Sequence, residues 1–322
     1  MSARTVLRTL ALAAALLCSS IAHAQLFRAY LAIDGSDANP CTLPAPCRLL
    51  PAALAAVANG GEIWMLDSAN YNTATVNITK SVKILAVPGA VGSVLAVSGP
   101  AFNIATAGVD VSLRNLVIVP LPGGGGTVGI NMTAGNSLTV EGSLLSGLPS
   151  GGIFITGSSA LKVVDTTIRV AGYGIDVRDG ARATVTRCVI SASGGVAVYA
   201  RGASAGTSTA ISVSGSTLEG SYVGAYAYST AATATVTLAV RDSQLDRNDY
   251  GMYAASGAGA PVWMTASASL ITGATQSGIT VDGSGARVWA TGNTVTANNY
   301  GLWMHNGGLF ESAGNNAVRN NS

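Results

Sequence analysis

The chain has 322 residues with 10% charged residues and a formal net charge of +2, too little cationic surface for a nucleic-acid partner or a polybasic membrane patch. It contains 40 glycines, and Ser, Thr, Ala and Val are abundant, which disfavours long helices and favours short strands joined by tight corners.

Residues 1–24 read as a secretory signal: Arg4 and Arg8 lead, Leu10 to Leu17 form the apolar centre, and Ala22-His23-Ala24 is the small-residue cleavage site. Cys18 follows Leu17 rather than a small residue, which argues against a lipid anchor. No later apolar run is long enough to span a bilayer. An exported protein is expected, periplasmic, secreted or at the cell surface.

Residues 25–60 are read as an N-terminal cap. Cys41 and Cys47 lie in N-P-C-T-L-P-A-P-C and are expected to form a disulfide, closing a small loop in an oxidising compartment. Residues 48–58 are the strongly helical stretch, with Leu50, Leu54 and Val57 at helical spacing and Asn59-Gly60-Gly61 as the stop. Such a helix would cover the first edge of a sheet beginning near residue 61.

From residue 61 to 322 the chain is repetitive. A Gly-apolar-x-apolar phrase recurs at Gly129, Gly152, Gly174, Gly195, Gly224, Gly251, Gly278 and Gly301, at spacings of 21 to 29 residues. Before it comes a second phrase, seen in V-V-D-T-T-I from Val163 and V-R-D-S-Q-L from Val240. Stacking the copies gives an apolar column (Ile118, Leu145, Ile168, Ile190, Leu218, Leu245, Ile271, Val295). A small polar column runs Ser143, Thr166, Cys188, Ser216, Ser243, Ser269, Asn293, Asn315.

Short period-two segments repeated at this interval fit one coil of a right-handed parallel β-helix. Leucine-rich repeats would need several leucines and an asparagine at fixed offsets, and a propeller blade about 40 residues. The predicted fold is therefore all-β, a solenoid of about nine or more coils with strands about 4.8 Å apart. The small polar column is expected to satisfy backbone groups at a corner, and Cys188 to be a packed side chain within it. Residues 315–322 stop inside what should be another coil, an edge either used for association or, the favoured reading, protected by its asparagines alone.

The helix, then Gly-Gly-Glu-Ile, then I-T-K-S-V-K-I, together with the G-I-x-V coils, resemble the pectin lyase-like superfamily of right-handed β-helix proteins over roughly residues 28–320. The segment D-G-S-D-A-N-P-C-T-L-P-A-P-C-R-L-L is similar to uncharacterised secreted bacterial members. The resemblance implies the fold and, for some members, polysaccharide chemistry. The catalytic signatures of the family's enzymes are absent: no paired Asp-Asp with G-H-G and R-I-K, and no Asp-Pro-His-Glu. No metal site and no cofactor are expected.

Two sets of candidate residues remain. Asp176, Arg178 and Asp179, in G-I-D-V-R-D-G, are candidate catalytic groups. Period two places Asp176 and Arg178 outward on one face, as a solvated ion pair or as acid/base groups. The stretch Arg241 to Asp249 is read as a polar corner. The outward positions of the Gly-apolar-x-apolar phrase collect Phe154, Tyr199, Tyr226, Tyr228, Tyr253 and Trp303, with Asp282 and His305 nearby and Tyr222, Tyr250 and Tyr300 as a rim. Stacked rings on one sheet could bind a polysaccharide or cell-surface glycan, or could simply pair with one another. Three function classes stay open: a carbohydrate-binding or adhesin-like surface protein, a polysaccharide lyase or hydrolase with unfamiliar residues, and a structural rod. Oligomeric state stays open as well.

Overall fold

The computed structural model describes residues 25–322, so the signal-peptide reading of residues 1–24 lies outside the described residues. The chain winds as a right-handed parallel β-helix whose coils stack into three sheets of twelve, eleven and ten strands. One coil runs from Ala160–Val164 in the twelve-stranded sheet to Thr167–Val170 in the eleven-stranded sheet, then Tyr173–Arg178 in the ten-stranded sheet. Strands pair in parallel with the same segment of the next coil, so equivalent residues lie above one another.

The interior is a set of apolar columns. Ile118, Leu145, Ile168, Ile190, Leu218, Leu245, Ile271 and Val295 pair rung to rung in the eleven-stranded sheet, each at most 1% exposed. Burying each side chain contributes about 1.5–3 kcal/mol.

The corner between the twelve- and eleven-stranded sheets needs one left-handed residue per coil, supplied by Asn115, Asp165, Arg187, Asp242 and Ala268 and, in other coils, by glycine. In the coils after that of Asn115 the next residue is the small polar one, or Cys188 in its place. Ser216 Oγ accepts from the Cys188 N–H at 3.1 Å and donates to Ser214 O at 2.9 Å, and Ser243 and Ser269 repeat the pattern. Corner backbone groups are thereby satisfied away from water. Cys188 occupies a hydroxyl's place, its Sγ 3.3 Å from Thr186 O, and burial pushes its thiol pKa up. The last member of the column is Asn316, not Asn315: strand pairing sets Asn316 beside Asn293, whose N–H it accepts at 2.9 Å. The stretch Arg241–Asp249 does form polar corners, with Ser243 in this ladder and Asn248 in a second one. That second ladder, Ser221, Asn248, Asn298 and Asn321, lies at the next corner.

Two further sequence expectations shift. The helix α1 spans Leu50–Ala56, and Val57 begins a strand to Met65. Val57 pairs with Leu26 of the first strand, and ladder hydrogen bonding captures this β-branched residue before another helical turn can form. Gly195 does not occupy the glycine column; Ala197 does, because strand pairing aligns Val198 with Ile175. At Gly251 a Cβ would lie 2.5 Å from Gly278 O and 2.6 Å from Ile271, so close approach excludes a side chain there.

Leu50, Ala53 and Leu54 of α1 are buried over the first coils, and Cys41 and Cys47 form the expected disulfide. At the other end Leu302, Met304, Leu309 and Val318 of the last coil are exposed, while Asn316 and Asn321 hydrogen-bond the coil beneath. Among the described residues no helix is long and apolar enough to cross a membrane.

Candidate functional site

The outer face of the ten-stranded sheet holds the candidate residues. Strand pairing puts one outward residue of each coil in a single column: Asn77, Asn103, Asn131, Phe154, Asp176, Tyr199, Tyr226, Tyr253, Thr280, Trp303. A second column, two residues on, runs Thr156, Arg178, Arg201, Tyr228, Ala255, Asp282, His305. All eight expected binding residues stand in these two columns. Tyr199 belongs to the first, because of the shift at Gly195.

The rings touch in sequence. Tyr199 and Tyr226 stack at 4.8 Å with planes 4° apart, Tyr226 meets Tyr228 at 5.7 Å and Tyr253 at 5.1 Å, and Tyr253 meets Tyr250 at 5.1 Å. Each such contact adds about 0.5–1.5 kcal/mol beyond area burial. Tyr222 and Tyr250 form an edge-to-face pair and Tyr300 lies beside Trp303, so the rim is built as the repeat implied. Mutual burial raises the phenol pKa values: Tyr199 is pushed up to about 12, and Tyr226 and Tyr253 also rise, burial being the largest cause in each.

Asp176 differs from expectation. It points outward from the core yet is 0% exposed, not part of a solvated pair. Arg178 and Arg201 close over it, with Arg178 Nε at 2.9 Å and its Nη2 closer still, and Arg201 Nε and Nη2 at 3.2 and 3.0 Å. The guanidiniums lie against rings, Arg178 5.1 Å from Phe154 and Arg201 5.1 Å from Tyr199. A carboxylate engaged on both oxygens by two arginines is poorly placed to take a substrate proton. Asp179 is a corner residue with positive φ, and its carboxylate accepts the N–H groups of Ala203 and Ser204 at 2.7 and 2.8 Å. It does not join Asp176 and Arg178.

Near the last coils Asp282 gathers three partners: Tyr253 Oη donates to it at 3.2 Å, Asn306 Nδ2 at 2.8 Å, and His305 Nδ1 lies 3.2 Å away. Thr280, between Tyr253 and Trp303, is fully buried and its hydroxyl has no partner among the described residues. Among the described residues no group of three or more His, Cys, Asp or Glu could hold a metal ion.

Sequence reasoning missed Tyr173 and Arg201. Tyr173 stacks on Tyr199 at 5.7 Å. Its position just before Gly174 repeats that of Tyr250 before Gly251 and Tyr300 before Gly301, a signal available in the sequence. Arg201 follows Tyr199 by two residues, as Arg178 follows Asp176, but the displaced Gly195 hid the equivalence.

Connections bordering this sheet from Val76 onward are two to seven residues long, so the face is open, without long loops beside it. Depressions elsewhere include one of about 420 Å³ between α1 and the strand Val76–Ile78, lined by Pro51, Leu54 and Lys80.

Residues 128–322 match the family model described as "Right handed beta helix region". No curated protein matches the sequence. Among solved structures, the pectate lyase Pel9A superposes with a TM-score of 0.58 at 15% identity, covering 92% of this chain and 78% of that one. The polygalacturonase from Erwinia carotovora ssp. carotovora gives 0.59 at 12%, covering 92% and 96%. XylC in complex with xylose gives 0.60 at 8%, covering 86% and 70%. At these identities the likeness is one of fold.

Proposed function

Because the chain belongs to the right-handed β-helix family, whose outer sheet faces are free to carry side-chain columns, we propose that this protein is an exported glycan-binding protein. Its working surface is the aromatic column of the ten-stranded sheet. The observation that carries this reading is the register: Phe154, Tyr199, Tyr226, Tyr253 and Trp303 lie on one line parallel to the solenoid axis. Rings spaced by coils set a line of apolar carbon along the column that successive sugars of an extended chain can pack against. Tyr222, Tyr300 and Trp303, 50%, 49% and 37% exposed, offer the freest rings of this face. Neighbours of the same fold, named as a pectate lyase and a polygalacturonase, support a carbohydrate ligand. The Cys41–Cys47 disulfide supports export.

The test is a titration of the protein with soluble polysaccharides followed by tryptophan fluorescence, and by calorimetry for the variant that lacks Trp303. Quenching is expected, and Trp303→Ala with Tyr253→Ala should weaken binding by at least about fivefold, the equivalent of about 1 kcal/mol of ring contact. An affinity unchanged in the double variant would sink the reading.

The Asp282 cluster favours a second reading, an enzyme acting on the same ligand. Asp282 Oδ1 lies 3.2 Å from His305 Nδ1, which the Asn306 amide nitrogen also approaches at 3.0 Å, and Nε2 has no partner among the described residues, an arrangement suited to proton transfer. Product release from a polysaccharide panel, abolished in His305→Gln, would establish it.

A further inference from the structure

The Arg178–Asp176–Arg201 cluster interrupts the ring column one rung after Phe154 and one before Tyr199. Two guanidiniums share one carboxylate, so the cluster carries a net charge of +1. Both arginines turn the Nε/Nη2 edge toward Asp176, and Nη1 of each has no hydrogen-bond partner among the described residues. Their side chains are 33% and 29% exposed, whereas Asp176 is 0% exposed. Asp176 therefore acts as a buried counter-ion that fixes two forks, and the rings of Phe154 and Tyr199 hold their planes. A fixed pair of forks with outward donors is suited to a carboxylate.

The rest of the face is uncharged or acidic. Toward the N-terminus the first column continues as Asn131 and Asn103, and toward the C-terminus Tyr226 and Tyr253 lead to Asp282. A homopolyuronate running along the column would set carboxylates against tyrosine ring carbon and beside Asp282, where no arginine or lysine compensates them. Anions laid on apolar ring carbon, stripped of water, are unfavourable.

Building on the glycan-binding reading, we infer that the cluster is a subsite for a single carboxylate, and that the ligand is a heteropolysaccharide with one acidic sugar among several neutral ones. Neutral sugars stack on the rings, and the acid fixes the register of the chain on the ladder.

An array printed with glucuronoxylan bearing sparse glucuronate, its carboxyl-reduced form, polygalacturonate and a neutral β-glucan tests this. Binding to glucuronoxylan is expected to exceed binding to its carboxyl-reduced form by about tenfold, the effect of about 1.4 kcal/mol from a charge-assisted contact. That ratio should fall toward one in Arg201→Gln. Arg178→Gln is the second variant should circular dichroism show the first unfolded. Equal binding to the two xylans, or the strongest binding to polygalacturonate, overturns the single-carboxylate subsite and leaves the aromatic surface standing. A blank array from folded protein overturns the glycan-binding reading and the subsite with it.

Discussion

One column of the ten-stranded sheet has two halves that share a backbone and differ in everything else. In the first half Asn77, Asn103 and Asn131 hydrogen-bond one another along the axis, Asn103 donating to Asn77 at 3.0 Å and Asn131 to Asn103 at 3.3 Å. In the second half Phe154 to Tyr253 meet by ring contact and by the Asp176 ion cluster, and beyond Thr280 Trp303 meets Tyr300 and His305. The asparagines spend their polar groups on each other, so that half is self-satisfied. In the aromatic half Tyr199, Tyr226 and Tyr228 stack face to face, leaving guanidinium edges and the rings of Tyr222, Tyr300 and Trp303 outward. The solenoid supplies the spacing; the residue choice at one position per coil separates a polar ladder from the proposed binding surface.

The sharpest way to break that contrast is to remove the counter-ion. Asp176→Ala leaves two guanidiniums pressed together over apolar rings. Breaking a fully buried pair costs about 3–5 kcal/mol, and because both arginines reach solvent we expect about 2–4 kcal/mol here. In the other half Asn103→Ala should cost about 1 kcal/mol, one ordinary hydrogen bond on each side being exposed in part. Urea denaturation measures both. Equal losses would show that the two halves are held by comparable forces and would remove the contrast.

Alkaline pH separates the halves without mutation. Tyr199 is pushed up to about 12, above the ordinary value of 10.0 that it regains on unfolding, so the unfolded chain releases this proton first. Stability from this group is fully present below pH 10 and is lost as pH rises through about 12. Tyr226 and Tyr253 shift in the same direction for the same reason, burial. Absorbance at alkaline pH should therefore show exposed tyrosines ionising first and a delayed group ionising with the loss of structure. A single transition near the ordinary value would mean that the rings are not mutually buried.

How much of this is readable in the sequence depends on what each residue does. The interior column from Ile118 to Val295 is legible rung by rung, because an apolar residue at fixed phase in every coil has only the core to go to. The outward rings are legible as a set because period two is rigid in a strand. Asp176 is misplaced by the sequence for a physical reason: its burial comes from Arg201, 25 residues away in the next coil, and no local pattern records a lid. The end of α1 is misplaced because the partner of Val57 is Leu26, again a long-range pairing. Corner residues in the left-handed region, such as Ala268 and Arg187, leave no signature either, since glycine does the same task in other coils. Cys188 is legible by column alone, and Cys188→Ser should change stability by less than about 1 kcal/mol, a hydroxyl replacing a thiol that already serves the same corner bond.

The smallest stability effect is expected where one half is converted to the other. Asn131 lies directly beneath Phe154 in the column. Asn131→Phe gives up the bond to Asn103, about 0.5–1.5 kcal/mol, and gains a ring contact with Phe154 of about the same size. The two nearly cancel, so unfolding should be almost unchanged. Affinity should not be: the ladder gains a rung, and a long glycan should bind several-fold more tightly while a short one that already fits between Phe154 and Trp303 should not. If length dependence is the same in the variant and the parent chain, the sugar does not follow the column, because a ring added to the line of contact cannot be invisible to a ligand lying on it.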